Sequence, residues 1–271
     1  MEIRVAVCGA AGRMGREVVR AILDAPDMEL VAAIDRQEID EDAGMLAGSS
    51  RCGVCIEPDL RAALARTHPD VMVDFTVPES VDENLKLALE QGVRLVVGTT
   101  GLTPEQIAEA AALSEQRGIG GIIAPNFAIG AVLMMQFAAQ AAKYLPDVEI
   151  IELHHDRKLD APSGTALLTA QRVAAARREA GVVPVSPPEG AVQKVPGARG
   201  AQGDLTGGVP VHSVRLPGLV AHQEVLLGGL GQMLTIRHDS FDRRSFMPGV
   251  LLAIRRVRTL DRLIVGLEHL L

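Results

Sequence analysis

The chain has 271 residues, enough for two domains with a core each, and its 48% hydrophobic and 23% charged residues lie near globular averages, which excludes a disordered or fibrous protein. A net charge of −7 argues against nucleic-acid binding, which needs a basic surface, and no run of about 18 apolar residues offers a membrane span. The start Met-Glu-Ile-Arg-Val lacks a signal peptide's basic and apolar regions, and Cys8, Cys52 and Cys55 are too few and odd in number for a disulfide framework, so a cytoplasmic protein is expected.

Ile3 to Val7 mixes apolar and charged residues and runs into Cys8-Gly9, the pattern of a buried strand ending in a tight turn. Arg13 to Leu23 then carries Met14, Val18, Val19 and Ile22 at helical spacing, with Pro26 as a stop, and Glu29 to Ile34 reads as a second strand leading to Asp35. A strand-helix-strand unit of about 30 residues is the size of the first half of a nucleotide-binding fold. In Gly9-Ala10-Ala11-Gly12-Arg13-Met14-Gly15 the glycines stand three apart, so the chain can turn sharply, approach a pyrophosphate and pack helix on strand. The helix start adds amide donors and a positive dipole end for that anion. Asp35 suits the ribose hydroxyls of NAD and Arg36 suits the 2′-phosphate of NADP, so the pair points both ways. Cys52-Gly53-Val54-Cys55 has no second Cys or His pair near it and reads as ordinary loop or strand.

Strands at Val71 to Phe75, Arg94 to Val97 and Ile119 to Ala124 alternate with helices at Val81 to Gln91 and Pro104 to Arg117. That alternation predicts an α/β fold, a Rossmann-type doubly wound parallel sheet whose strands all end at one ligand-binding edge. The loops at that edge are Gly9 to Gly12, Asp35-Arg36, Thr76-Val77-Pro78, Gly98-Thr99-Thr100 and Pro125-Asn126-Phe127. Small residues in Gly98-Thr99-Thr100-Gly101 let a nucleotide lie close, and the hydroxyls can bond it.

After Asn126 a long apolar helix, Gly130 to Lys143, leads to a strand, Val148 to His154, a polar loop and a helix, Gly164 to Arg178. Gly181 to Gly208 is rich in Pro and Gly and reads as an excursion or mobile loop. Strand-like runs at Val211 to Leu216, Gln223 to Gly228 and Met233 to His238 suggest a smaller α+β domain with an open mixed sheet. The last helix, Ser245 to Val257, is expected to pack back on the first domain. The expected division is therefore 1–127 with 239–271 for the dinucleotide and 128–238 for substrate binding and oligomerisation.

The densest polar cluster, Glu152 to Thr165, puts His154, His155, Arg157 and Lys158 within five positions at a strand end. Ser163-Gly164-Thr165 follows and can cap the next helix, leaving its amides facing an anion. Such a loop can bind carboxylates and move protons. Zinc fits poorly, because two adjacent histidines on a continuing strand point to opposite faces. A solvated charged loop is the plain alternative.

These residues resemble the 4-hydroxy-tetrahydrodipicolinate reductase (dihydrodipicolinate reductase) family. The match runs through Gly-Arg-Met-Gly at 12–15, Asp74-Phe75-Thr76, Gly98-Thr99-Thr100-Gly101, Asn126-Phe127, His154-His155 through Thr165, and Val211 to Gly218. The resemblance implies NADPH or NADH as hydride donor and a cyclic dicarboxylate substrate that loses water. It implies His154 as proton donor or acceptor, Lys158 as proton donor, and His155, Ser163, Gly164 and Thr165 as substrate contacts. It implies cofactor contacts at Gly9 to Met14, Asp35 or Arg36, Gly98 to Thr100, and Ala124 to Phe127, and a homotetramer; from the histidine spacing no metal is expected. Like-charged neighbours of Lys158 are expected to ease its proton release. Val77 stands where some members carry a basic residue, Asp156 and Arg157 receive no role, and Arg215 reads equally as carboxylate ligand or strand-end support. The competing readings are another two-domain NAD(P)-dependent oxidoreductase, such as an amino-acid dehydrogenase, and a non-catalytic NAD(P)-sensing protein.

Overall fold

A computed structural model describes residues 2–184 and 204–271. The chain separates into two compact units, one made of residues up to Ile129 with Arg243–Leu271 and the other of Gly130–Asp242.

The first unit begins β1 (Ile3–Cys8), α1 (Arg13–Leu23), β2 (Met28–Ile34), α2 (Ala43–Leu46), β3 (Ile56–Glu57), α3 (Leu60–Thr67), β4 (Val71–Asp74), α4 (Pro78–Glu90), β5 (Arg94–Val97), α5 (Pro104–Arg117) and β6 (Gly121–Ile123). The second unit holds nearly all of α6 (Ile129–Ala142), then β7 (Asp147–His154), α7 (Gly164–Ala180), β8 (Asp204–Thr206), β9 (Val209–Arg215), β10 (Ala221–Gly229) and β11 (Gln232–Ser240). The chain then returns to the first unit through a 3-10 turn, α8 (Met247–Arg256) and β12 (Leu263–Val265).

In the first unit seven parallel strands lie in the order β12-β6-β5-β4-β1-β2-β3. All four residues of β4 and five of the six in β1 are buried, as strands in a sheet covered on both faces require. Helix boundaries follow local chemistry. Thr103 and Gln106 form a reciprocal capping box before α5, Pro104 sits in its first turn, and Gly118 ends it in the left-handed conformation.

Several elements escaped the sequence reading. Residues 37–70 hold α2, β3 and α3, and β12 adds a strand beside β6. β3 spans two residues and β12 three, too short for a period of two to show. The C-terminal helix expected over Ser245 to Val257 is split, with a 3-10 turn over Arg243–Phe246 before α8.

The second unit is built on a five-stranded mixed sheet, order β11-β10-β7-β9-β8, with β7 and β9 parallel and the other pairs antiparallel. α7 packs on β7 and β9, and Gln223 on β10 donates to the Thr169 hydroxyl of α7 at 2.7 Å. Within the Gly181 to Gly208 stretch, Gly181 caps α7 and 204–206 form β8, so its end is strand and not loop. The rest of that expected excursion, 185–203, lies outside the described residues.

Candidate active site

Because the strands of the first unit are parallel, the loops after β1, β2, β4, β5 and β6 share one edge of the sheet. Gly9 carries a positive φ of 78°, and a Cβ added at Gly15 would stand 2.0 Å from the Gly9 carbonyl oxygen. Turn and helix therefore approach to a distance only glycine permits. Gly12 caps α1 with no side-chain hydrogen bond, and no acidic residue occupies the first turn. The helix start at Arg13 and Met14 is left open to an anion, so this loop fits a dinucleotide pyrophosphate.

Asp35 follows β2 and accepts hydrogen bonds from the backbone N–H of Ala11 (3.0 Å) and of Gln37 (3.0 Å). It ties the glycine loop to the second strand with two of the roughly four lone-pair sites a carboxylate offers. The Arg36 side chain beside it is exposed.

The β4 and β5 loops are bound together by Asp74, which is fully buried. Asp74 Oδ1 accepts from the Thr76 amide (3.0 Å), the Thr76 hydroxyl (2.7 Å) and the Thr99 hydroxyl (2.7 Å), and Oδ2 accepts from Asn84 (2.9 Å). This corrects one expectation: the Thr99 hydroxyl is committed to the scaffold, leaving exposed Thr100 as the hydroxyl beside Gly98 at the surface of this loop. In the β6 loop Ala124 and Phe127 are buried, Phe127 tilts against Phe75 with centroids 5.8 Å apart, and Asn126 accepts from the Ala128 amide. Phe127 is thus a packing residue, while Pro125 is exposed and Asn126 half-buried.

In the second unit the site grows from β7. Its alternation buries Val148, Ile150 and Glu152 on one face, so a carboxylate occupies a core position with no solvent exposure. Glu152 Oε2 lies 2.5 Å from Nδ1 of His154, the next residue on that face. Arg215, at the end of β9, grips Glu152 through Nη1 (2.9 Å) and Nη2 (2.8 Å) and donates to the Asp160 carbonyl (2.7 Å). Arg215 is therefore strand-end support. The Ser163 amide donates to Glu152 Oε1 (3.1 Å), and the Ser163 hydroxyl accepts from Ala166 as the N-cap of α7. Burial raises the Glu152 pKa, but donors on His154, Arg215 and Ser213 outweigh it and hold the carboxyl at about 2.

Around this anchor stand the expected site residues. His155 Nδ1 is buried without a hydrogen-bond partner, and Gly164 and Thr165 open α7, whose first turn has no acidic residue. Lys158 donates to both oxygens of Asp160 at 2.8 Å, which lowers the Asp160 pKa. The expected like-charged setting of Lys158 is overturned: its nearest charge is an opposite one. Among the described residues no cluster of His, Cys, Asp and Glu could hold a metal ion, and no helix is long and apolar enough to cross a membrane.

Glu152, Asp74 and Asp160 were not given roles from sequence. Two of them carried a signal, a carboxylate at an inward position of a strand that is otherwise apolar on that face.

Comparison with known proteins places this arrangement. Residues 3–127 match the family model described as dihydrodipicolinate reductase, N-terminus, and residues 130–271 match its C-terminus. The 4-hydroxy-tetrahydrodipicolinate reductase of Moorella thermoacetica is 54% identical over 99% of this chain and 98% of its own. That of Geobacillus kaustophilus is 54% identical over the whole of both chains. The dipicolinate-bound dihydrodipicolinate reductase of Paenisporosarcina sp. TG-14 superposes with a TM-score of 0.88 at 46% identity over 100% of both. An amine dehydrogenase from Mycobacterium smegmatis, 18% identical over 99% of this chain and 96% of its own, shares the fold with a TM-score of 0.67.

Proposed function

The chain belongs to the dihydrodipicolinate reductase family, and from that premise we propose that it reduces 4-hydroxy-tetrahydrodipicolinate to tetrahydrodipicolinate, with loss of water, using NADPH or NADH. The observation that carries this reading is the loop after β7, where Glu152 anchors His154 and the start of α7 while Lys158 pairs with Asp160 on the segment between them.

Gly9 to Met14, Asp35 or Arg36, Gly98 to Thr100 and Ala124 to Phe127 hold the cofactor in this reading, with Thr99, Ala124 and Phe127 contributing backbone only because their side chains are turned into the scaffold, and the glycine approach and the open start of α1 support it. When bound, the reduced nicotinamide supplies the hydride. Adding a hydride to an unsaturated ring leaves electron density that a positioned acid must neutralise. Lys158 and His154 fill that role, Lys158 as donor and His154 as donor or acceptor. His155, Ser163, Gly164 and Thr165 receive the substrate. The amides that open α7 suit the carboxylates of a ring such as the dipicolinate held by the Paenisporosarcina protein, and the orphaned His155 Nδ1 offers a further polar contact.

The same reading assigns the dinucleotide to 1–127 with 239–271 and the substrate to 128–238. It includes a cytoplasmic homotetramer formed through the second sheet, where Met233 and Leu234 on the edge strand β11 and Leu230 in the turn before it are exposed. Mixing the protein with freshly generated 4-hydroxy-tetrahydrodipicolinate and following nicotinamide absorbance tests the activity. Oxidation of at least one nucleotide is expected, and none with either overturns the reading.

A further inference from the structure

From the Glu152–His154 contact we infer that Glu152 is a positioning residue for the reduction: it fixes the proton of His154 on Nδ1 and leaves Nε2 as the nitrogen that exchanges protons. The inference rests on the reading that His154 handles a proton. It concerns a residue that touches the reaction only through His154.

The geometry carries the argument. An ionised carboxylate only accepts hydrogen bonds, so its partner at 2.5 Å must be Nδ1–H. The neutral imidazole then has its lone pair on Nε2, and when Nε2 takes a proton the buried carboxylate balances the new charge. The Arg215 guanidinium on both oxygens and the Ser163 amide on Oε1 favour the ionised form of Glu152. Its other oxygen contacts explain why it does not swing away. Arg215 grips both oxygens, and the Ser163 amide fixes Oε1 at the N-cap of α7. One side chain thus sets the tautomer of His154 and the position of the helix start proposed to bind substrate carboxylate.

Among the described residues the following groups face the pair. β9 brings the Arg215 guanidinium and the neutral Ser213, β10 sets Ala221 and Gln223 opposite His154 and Glu152, and α7 brings Ser163. On the loop, Lys158 and Asp160 compensate one another, and His155 follows His154 directly. Glu152 is the negative group hydrogen-bonded to the His154 ring.

The test replaces Glu152 with Gln and with Asp in the full-length protein. Glu152→Gln keeps the shape but offers an N–H to Nδ1 and removes the charge. It is expected to lower kcat by about 10²-fold, with substrate KM changed less than about threefold and cofactor affinity unchanged, as for loss of a residue that orients a catalytic histidine. The limb of the kcat–pH profile that belongs to His154 should move to lower pH. Glu152→Asp, which keeps the carboxylate, should recover at least about tenfold of the loss. Nitrogen-15 NMR of His154 in the wild-type protein should show the Nδ1–H tautomer. A wild-type Nε2–H tautomer overturns the inference even if Glu152→Gln fails to fold. A folded Glu152→Gln enzyme with wild-type kcat and pH profile also overturns it while leaving the reductase reading intact. Absence of wild-type turnover sinks the reductase reading, but the tautomer measurement still decides what Glu152 does to His154.

Discussion

Two buried carboxylates, Asp74 in the parallel sheet and Glu152 in the mixed sheet, are both closed to solvent, yet their partners differ in kind. Asp74 is satisfied by an amide, two hydroxyls and a carboxamide, none of which ionises at working pH. Glu152 is satisfied chiefly by His154 and Arg215, one titratable and one permanently charged. Neutral donors around a buried carboxylate make a stiff corner, suited to holding the loops of a binding edge in one shape. Charged donors couple the carboxylate to any proton that moves nearby. In the proposed reading the first unit is organised for binding and the second for chemistry.

The sharpest way to break that division is to strike the chemistry alone. Lys158→Ala is expected to lower kcat by about 10²-fold or more through loss of a positioned acid. Cofactor affinity, followed by nucleotide fluorescence, should stay close to wild type. Equal weakening of cofactor binding would place Lys158 in the nucleotide's service and erase the contrast. Asp160 complicates this variant only mildly, because its released carboxylate is mostly exposed and water can take the place of the ammonium.

Much of this contrast was legible in the chain itself. The glycines at 9, 12 and 15 and the alternating strands and helices announce the parallel sheet, because its central strands β1, β4 and β5 are local runs of mostly buried residues. The polar loop from His154 to Thr165 announces the second site because charge density is also local. What the sequence hid was pairing at a distance. Arg215 lies 63 positions from Glu152, and Thr99 25 from Asp74, so no motif reveals that Arg215 is a brace or that the Thr99 hydroxyl faces inward. Lys158 and Asp160 are only two positions apart, but whether a loop folds them together depends on its backbone path, which composition does not fix.

A second test strikes the neutral corner. In Asp74→Asn one oxygen can still accept the Thr76 and Thr99 donors, but the new amide nitrogen then meets the Asn84 amide, donor against donor. The expected cost is about 2 kcal/mol of unfolding free energy, the range for one buried unsatisfied polar group, measured by urea denaturation. Adding Asn84→Asp restores a donor–acceptor pair and should recover at least about half. A single variant as stable as wild type would show that the corner contributes no stiffness.

Specificity within the binding edge gives a smaller effect. Arg36→Ala is expected to lower kcat/KM for NADPH about tenfold more than for NADH, through loss of one charge-assisted hydrogen bond to the 2′-phosphate, about 1.4 kcal/mol. Asp35 should be spared, because the amides of Ala11 and Gln37 hold it in place whatever stands at the next position. An unchanged ratio removes Arg36 from phosphate recognition and leaves discrimination to the exposed Arg13 or to the loop after β4.

The smallest effect is expected at a charged pair of the first unit that looks as well made as the one on Glu152. Arg255 on α8 binds Asp27 through Nε (2.8 Å) and Nη2 (2.9 Å), joining residues 228 positions apart and holding the Asp27 pKa down by its hydrogen bonds. Yet both side chains are nearly half exposed, at 43% and 45%, so water competes for each and salt screens the pair. The return of the C-terminal segment rests instead on β12 pairing with β6 and on the apolar face of α8, where Val250, Ala253 and Ile254 are fully buried. Asp27→Ala should therefore cost no more than about 1 kcal/mol in urea denaturation, and less at high salt. A loss of 3 kcal/mol would mean that geometry outweighs burial in deciding what a charged pair contributes, and the distinction between Glu152 and the surface would then have to rest on chemistry alone.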